Sequence, residues 1–135
     1  PADGAQASAP VGLRVLVVED NVDAADTLRD LLELGGHAVE VAHTGAAGLA
    51  AAARRPPDLI LCDVGLPDMS GHEVARALRT GPADARPVVV ALTGYAQPED
   101  RHRAADAGFD EHLAKPPSPA ELQAVLARAS ERRAR

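Results

Sequence analysis

The chain has 135 residues, 46% of them hydrophobic, and a formal net charge of −6 at pH 7; this fits one compact domain with an apolar core and argues against disorder throughout. The negative charge argues against a nucleic-acid-binding surface, which needs clustered lysine and arginine to neutralise phosphates. The single cysteine, Cys62, excludes an intramolecular disulfide, and no segment has the roughly 20 apolar residues that cross a bilayer, so we expect a cytoplasmic location and no membrane contact by this domain.

Strands and helices alternate along the chain after an opening segment without an apolar period. Residues 1–12 are rich in Ala, Pro, Ser and Gly and are interpreted as a flexible leader or interdomain linker. Residues 13–130 form the predicted domain, and the basic residues 131–135 are interpreted as a C-terminal tail. The predicted strands are 13–18, 37–42, 58–62, 87–92 and 110–114, and the predicted helices are 22–34, 46–54, 70–80, 98–107 and 118–130.

The ends of several predicted helices carry their own signals. Gly35 follows the first helix, and Pro56 stops the second. Capping boxes, in which a serine and a glutamate three residues later satisfy each other's backbone N–H groups, open the third helix at 70–73 and the last at 118–121.

The order strand then helix, repeated five times, predicts the fold class. Strands that alternate with helices are parallel and are joined by right-handed crossovers, with helices on both faces of the sheet. We therefore expect an α/β domain with a doubly wound five-stranded parallel sheet, the flavodoxin-like architecture. Sheets of this kind bind ligands beyond the carboxyl ends of their strands, near the point where the strand order reverses.

Polar residues follow four of the five strands at that edge. Glu19 and Asp20 follow the first strand, Asp63 the third, Thr93 the fourth and Lys115 the fifth. Carboxylates that converge on one place repel one another unless a cation lies between them. Mg²⁺ prefers a few carboxylates, waters and phosphate oxygens. A carboxylate nucleophile, a metal, a lysine and a hydroxyl donor together indicate a site for phosphoryl transfer.

Four motifs in the chain carry a resemblance to a known family. They are Val-Val-Glu-Asp-Asn at 17–21, Leu-Cys-Asp-Val-Gly-Leu-Pro-Asp-Met-Ser-Gly at 61–71, Ala-Leu-Thr-Gly-Tyr at 91–95 and Leu-Ala-Lys-Pro at 113–116. All four occur in order at the predicted strand ends. With them the chain resembles a response-regulator receiver domain of two-component signalling, of the chemotaxis type, over about residues 13–130.

The resemblance implies roles at the proposed nucleophile and metal site. Asp63 would be the phosphoacceptor, and would take its phosphoryl group from a phosphohistidine on a histidine kinase or a histidine phosphotransfer protein. Mg²⁺ would be bound by Asp20 directly, by Glu19 largely through water, by Asp63, and by the backbone carbonyl of Gly65.

The resemblance also implies roles for the residues around the phosphoryl group. Lys115 would bind that group, and Thr93 would turn inward to hydrogen-bond it as a switch. The Lys115–Pro116 peptide is expected to be cis, a minority state for X-Pro bonds. His112 stands where the family often has an aromatic ring that swings inward as the threonine moves. In this chain an imidazole would have to respond to the movement of Thr93 instead.

Two residues are expected to set how easily water reaches the site. Gly65, two residues after Asp63, stands where a larger side chain is common in the family, and its small size should open the site to water. Tyr95, two residues after Thr93, is expected to shield it in part.

The setting of the domain leaves alternatives open. Residues 91–101 resemble receivers attached to hybrid sensor histidine kinases, and we favour that origin over a stand-alone single-domain regulator. A downstream protein would bind the face of the fourth helix, the fifth strand and the fifth helix.

A phosphorylation-independent interaction module of the same fold is the rival function. A phosphatase of the haloacid-dehalogenase type is excluded, because it needs a second acid where this chain has Gly65.

Other residues receive structural interpretations. Cys62 is expected to be a small buried hydrophobe, Phe109 a core residue, and Asp68 an ordinary loop aspartate. The histidines that lack metal-ligand spacing are expected to face solvent; they are His37, His43, His72 and His102.

Overall fold

In the computed structural model, residues 12–78, 86–94 and 108–134 are described, so the predicted helix at 98–107 and Tyr95 lie outside the described residues. The strands are β1 (Arg14–Val18), β2 (Ala38–Ala42), β3 (Leu59–Asp63), β4 (Val88–Thr93) and β5 (Glu111–Ala114). The helices are α1 (Val22–Leu34), α2 (Gly45–Arg54), α3 (Gly71–Leu78) and α4 (Pro119–Ala134). Every predicted strand end agrees with the structure to within one residue.

The five strands form one parallel sheet in the order β2-β1-β3-β4-β5. This confirms the doubly wound, flavodoxin-like fold predicted from the alternation of strands and helices. The chain moves outward from β1 to β2 on one side and from β3 to β5 on the other. The strand order therefore reverses between β1 and β3, which places a ligand crevice at the carboxyl ends of those two strands.

Two aliphatic cores cover the two faces of the sheet. Side chains alternate along each strand, so that Val15 and Leu61 pack with helices α1 and α4, whereas Leu16 and Ile60 pack with α2 and α3. All five residues of β3 are buried, as expected for a central strand covered on both faces. The buried positions predicted for Cys62 and Phe109 are confirmed by exposures of 0% and 7%.

Side-chain caps stand at the starts of the helices, and two of them are the predicted capping boxes. The Oδ1 atom of Asn21 accepts a hydrogen bond from the N–H of Ala24 at 2.9 Å, which fixes the start of α1 next to β1. Both capping boxes are formed, with serine–glutamate hydrogen bonds in each direction at 70–73 and at 118–121. Local sequence thus contributes to the starts of α1, α3 and α4.

The last helix is longer than predicted. It continues past the predicted end at residue 130 to Ala134 and so includes Arg132 and Arg133. Arg132 lies 3.4 Å from the Oδ1 atom of Asp110, and Arg133 lies 3.2 Å from the Oδ2 atom of Asp58. These ion pairs join the end of α4 to the residues that precede β5 and β3.

Two of the described histidines differ from the prediction that they face solvent, and His102 lies outside the described residues. His72 is half-buried, with its ring 5.9 Å from that of Phe109. His37 was expected to face solvent, but it is buried, and its Nδ1 atom accepts a hydrogen bond from the N–H of Leu13 at 3.2 Å. Burial lowers the pKa of this imidazole, since the charged form loses its hydration. Among the described residues, no helix is long and apolar enough to span a membrane.

The buried thiol of Cys62 gives a first prediction. Burial, followed by the negative charges of Asp63 and Glu19, raises its pKa to about 12. The thiolate, which is the reactive form, should therefore be absent at pH 8. We expect iodoacetamide to leave the folded protein unmodified and to label Cys62 fully in denaturant, as measured by mass spectrometry. Rapid labelling of the folded protein would contradict a closed core at β3.

Candidate functional site

Four strands bring polar residues to one edge of the sheet. Glu19 and Asp20 follow β1, Asp63 and Thr93 are the last residues of β3 and β4, and Lys115 follows β5. Glu19, Asp63 and Thr93 are buried, with exposures of 0%, 7% and 8%, whereas Asp20 is exposed. The structure thus brings together the residues that the sequence placed at the strand ends.

Three carboxylates share this edge with one ammonium group among the described residues. Glu19, Asp20 and Asp63 each offer an oxygen, and these oxygens all lie within 4.8 Å of one another. The Nζ atom of Lys115 lies 2.8 Å from Oε1 of Glu19 and 3.2 Å from Oδ2 of Asp63. The cluster therefore carries an excess of negative charge, which a divalent cation would balance.

The two buried carboxyl groups have opposite pKa shifts. Burial raises the pKa of Glu19 more than its hydrogen bonds with Lys115 and the N–H of Asn21 lower it. Burial also raises the pKa of Asp63, but a hydrogen bond from the N–H of Gly65, one with Glu19 and the charge of Lys115 outweigh that effect and lower it. Asp63 is therefore the better ionised of the two, as a nucleophile must be.

The lysine is held in its charged form by the same groups. Burial disfavours its charge, but hydrogen bonds with Glu19 and Asp63, and their negative charges, outweigh that effect and raise the pKa of Lys115. Its backbone N–H also donates to the carbonyl of Thr93 at 2.8 Å, which fixes the end of β5 against β4. The Lys115–Pro116 peptide bond that follows is cis.

Two glycines shape the loop after β3. The N–H of Gly65 donates to Oδ1 of Asp63 at 3.0 Å. In the part of the chain that the structure describes, a Cβ added to Gly65 would come near Oδ1 of Asp63 alone, at 4.0 Å. A Cβ added to Gly71 would lie 2.6 Å from the carbonyl oxygen of Asp63 and 2.8 Å from Cα of Val64. Gly71 thus lets α3 begin directly against the end of β3.

Two further predicted residues are His112, expected to take part in switching, and Tyr95, expected to shield the site from water. His112 lies in β5 opposite Ala91 and is half-buried. Because Leu113 packs with α1 and α4, alternation places His112 on the opposite face, which it shares with Phe109 and α3. Tyr95 lies outside the described residues.

Two side chains at this edge have contacts that the sequence analysis missed. The Nδ1 atom of His43 lies 2.9 Å from the carbonyl oxygen of Glu19. The carboxylate of Asp68 accepts hydrogen bonds from the N–H groups of Gly45 and Ala46 at 2.8 and 2.9 Å. Both partners are backbone groups of distant segments, so no sequence pattern reveals them.

The donor set fits a hard divalent cation. Carboxylate oxygens are the ligands that Mg²⁺ prefers in proteins, and the three in this cluster come from Glu19, Asp20 and Asp63. The described part of the cluster contains no sulfur or imidazole ligand, which softer transition metals would favour.

Comparisons with known proteins show what the sequence and the fold of this chain are similar to. Residues 15–127 match the family described as the response regulator receiver domain. An uncharacterised 14.6 kDa protein of Leptolyngbya boryana is 40% identical over 108 residues, which are 80% of this chain and 82% of that protein. The KDP operon transcriptional regulatory protein KdpE of Escherichia coli K12 is 46% identical over 112 residues, 83% of this chain and 48% of that regulator.

A solved structure extends the comparison. The signal receiver domain of a signal transduction histidine kinase from Syntrophus aciditrophicus superimposes with a TM-score of 0.78 at 29% identity, and the match covers 89% of this chain and 91% of that one. The chain spans most of the small Leptolyngbya protein but about half the length of KdpE.

The contact at Gly71 generates a stability prediction. In the Gly71→Ala variant, the added methyl group has to displace the backbone of Asp63 or Val64. We expect the free energy of unfolding to fall by about 1–3 kcal/mol, measured by urea denaturation. Gly65→Ala, whose Cβ meets open space among the described atoms, is the matched control and should unfold at nearly the wild-type urea concentration. Equal stability of the two variants would show that α3 can move away from β3 without cost.

Proposed function

The chain belongs to the response regulator receiver domain family, and from that premise we propose that it takes a phosphoryl group from a phosphohistidine onto Asp63. The observation that carries the proposal is the position of Asp63. It ends the central strand β3, keeps a low pKa, and has the Lys115 ammonium 3.2 Å from one of its oxygens. This is a nucleophilic carboxylate next to a cation that can hold the incoming phosphoryl group.

Each residue has a defined part in the proposed transfer. An oxygen of Asp63 attacks the phosphorus, and an O–P bond forms as the P–N bond of the donor breaks. The electron pair returns to the imidazole of the donor, which takes up a proton. The ammonium of Lys115 and the hydroxyl of Thr93 stabilise the charge on the phosphoryl oxygens. To make this hydrogen bond Thr93 would turn toward the phosphoryl group, and His112 would respond to that movement of Thr93.

Mg²⁺ is the proposed cofactor. Asp20 and Asp63 would hold it directly, Glu19 largely through water, and Gly65 through its backbone carbonyl. When bound, the cation neutralises the phosphoryl oxygens so that the negative Asp63 can approach them. The excess of carboxylate charge at this edge supports the proposal.

The proposed partners follow from this chemistry. The phosphoryl donor is a histidine kinase or a histidine phosphotransfer protein, and the output is binding of a downstream protein. The predicted face for that protein includes β5, α4 and the segment 98–107, which lies outside the described residues. Likeness to the receiver of a Syntrophus histidine kinase supports a hybrid-kinase origin. Likeness to the small Leptolyngbya protein supports the stand-alone alternative. The cytoplasmic location stays a prediction.

Phosphoryl uptake tests the proposed function directly. Incubation with acetyl phosphate and Mg²⁺ should add one phosphoryl group to the wild-type protein, because acetyl phosphate can replace the phosphohistidine donor. The Asp63→Asn variant should gain none, and the exposed Asp30→Asn variant should gain as much as the wild type. Intact-protein mass spectrometry under conditions that preserve acyl phosphates measures the gain.

Two results would contradict this assignment. A gain that survives Asp63→Asn would place the phosphoryl group elsewhere. A wild-type protein that neither gains mass nor binds beryllofluoride would favour the phosphorylation-independent interaction module.

Gly65 gives a prediction on the lifetime of the acyl phosphate. Among the described atoms, a Cβ at this position would come near Oδ1 of Asp63 alone, at 4.0 Å, and a methionine side chain there should keep water away from the phosphoryl group. We expect the acyl phosphate of Gly65→Met to hydrolyse several-fold more slowly than that of the wild type, by loss of the added mass over time. Gly65→Ala, which adds too little bulk to cover the site, is the control. Equal rates in all three proteins would rule out Gly65 as the residue that sets water access.

A further inference from the structure

Three loops meet at the carboxyl ends of β1, β2 and β3. The β1–α1 loop (19–21) carries Glu19 and Asp20, and the β3–α3 loop (64–70) follows Asp63. The β2–α2 loop (43–44) with the first turn of α2 follows the edge strand beside β1 and carries no proposed ligand. This short segment nevertheless contacts both of the loops that carry proposed ligands.

The first contact extends the sheet by one residue. The N–H of Glu19 donates to the carbonyl of Ala42 at 2.9 Å, as in a parallel ladder. The next donor in such a ladder would be the N–H of residue 44, but the chain turns into α2 at Thr44. The Nδ1 atom of His43 lies 2.9 Å from the Glu19 carbonyl instead. Because a carbonyl oxygen can only accept, the imidazole must donate from Nδ1, and it fixes the peptide between Glu19 and Asp20.

The second contact fixes the opposite side of the same segment. Asp68, in the β3–α3 loop, accepts the N–H of Gly45 with one oxygen and that of Ala46 with the other. These hydrogen bonds lower the pKa of Asp68. Thr44 caps the third N–H, that of Ala47, at 3.0 Å. The positive end of α2 is thus tied to the β3–α3 loop by a bidentate carboxylate.

We propose that the β2–α2 loop with the first turn of α2 is a brace that holds the two ligand-bearing loops at a set separation, with His43 and Asp68 as its two positioning residues. Neither residue touches the reacting atoms. His43 acts through the backbone of Glu19 and Asp20, and Asp68 acts through the loop that carries Gly65.

Charge repulsion explains why a brace is needed. The oxygens of Glu19, Asp20 and Asp63 lie within 4.8 Å of one another. Lys115 pairs with Glu19 and Asp63, but one ammonium does not balance three carboxylates, and the remaining repulsion would favour separation of the β1–α1 and β3–α3 loops before a cation binds. The brace resists this movement, so the carboxylates stay positioned for the cation. Its role in cation binding rests on the proposed function, whereas the mechanical coupling of the two loops does not.

Amide hydrogen exchange in the metal-free protein tests the coupling alone. The N–H of Glu19, bonded to Ala42, reports on the β1–α1 loop, and the N–H of Gly71, bonded to Val64 at 2.8 Å, reports on the β3–α3 loop. We expect Asp68→Ala to speed exchange at Glu19 several-fold, and His43→Ala to do the same at Gly71. Exchange at Leu61, in the centre of β3, should stay at the wild-type rate and so exclude global destabilisation.

The cross-effect is the decisive observation, since each substitution removes the brace's contact with one ligand-bearing loop while its reporter lies at the other. Faster exchange confined to the loop whose contact is removed would overturn the brace.

Magnesium affinity, measured by isothermal titration calorimetry, tests the consequence for the site. Each alanine variant should weaken Mg²⁺ binding about ten-fold, as loss of outer-shell partners does. The double variant should also lose about ten-fold instead of a hundred-fold, because cutting either end releases the brace. His43→Asn, which keeps an N–H donor, should restore most of the affinity. Asp30→Ala, which removes an exposed charge far from the brace, should bind as the wild type does.

The outcomes separate this inference from the proposed function. Wild-type affinity in both single variants, or losses that multiply in the double variant, would overturn the brace while leaving the receiver chemistry intact. A wild-type protein that binds no Mg²⁺ but shows the cross-effect in exchange would overturn the metal site and leave the brace as a mechanical coupling of the two loops.

Discussion

The repulsion among three carboxylates at one edge of the sheet is the constraint on which the rest of the site depends. Glu19, Asp20 and Asp63 lie within 4.8 Å of one another, and the ammonium of Lys115 faces two of them. Burial, with a smaller contribution from the charge of Asp63, raises the pKa of Glu19, whereas hydrogen bonds with Gly65 and Glu19 and the charge of Lys115 lower that of Asp63. The excess of negative charge makes the cluster receptive to a divalent cation, since a second positive group would relieve it.

The fold supplies a frame rigid enough to hold such a cluster. Parallel strands deliver all their carboxyl ends to one edge, and the reversal of strand order between β1 and β3 leaves room there for a ligand. The core that fixes these strands is almost purely aliphatic and covers both faces of β3. Close contacts such as that of Gly71 with Asp63 fix where the next helix begins.

The sequence predicted what depends on local pattern and missed what depends on distant backbone groups. Strand bounds and both capping boxes follow from periodicity and short-range hydrogen bonds, and the structure confirms them. His37 was expected to be exposed but is buried, because it accepts a hydrogen bond from Leu13, 24 residues away. The contacts of His43 and Asp68 are likewise invisible in the sequence, because their partners are backbone groups that only the fold brings near.

The dependence of stability on Mg²⁺ tests the central claim most directly, because a cation that binds the folded cluster alone must stabilise the fold. The account predicts that the free energy of unfolding, from urea denaturation, rises with Mg²⁺ by about 2.7 kcal/mol at a free concentration of about 100 Kd. The Asp20→Asn variant should fold but gain far less. If the stability of the wild-type protein did not depend on Mg²⁺, or if Asp20→Asn gained as much free energy of unfolding as the wild type, a metal site built from these carboxylates would be contradicted.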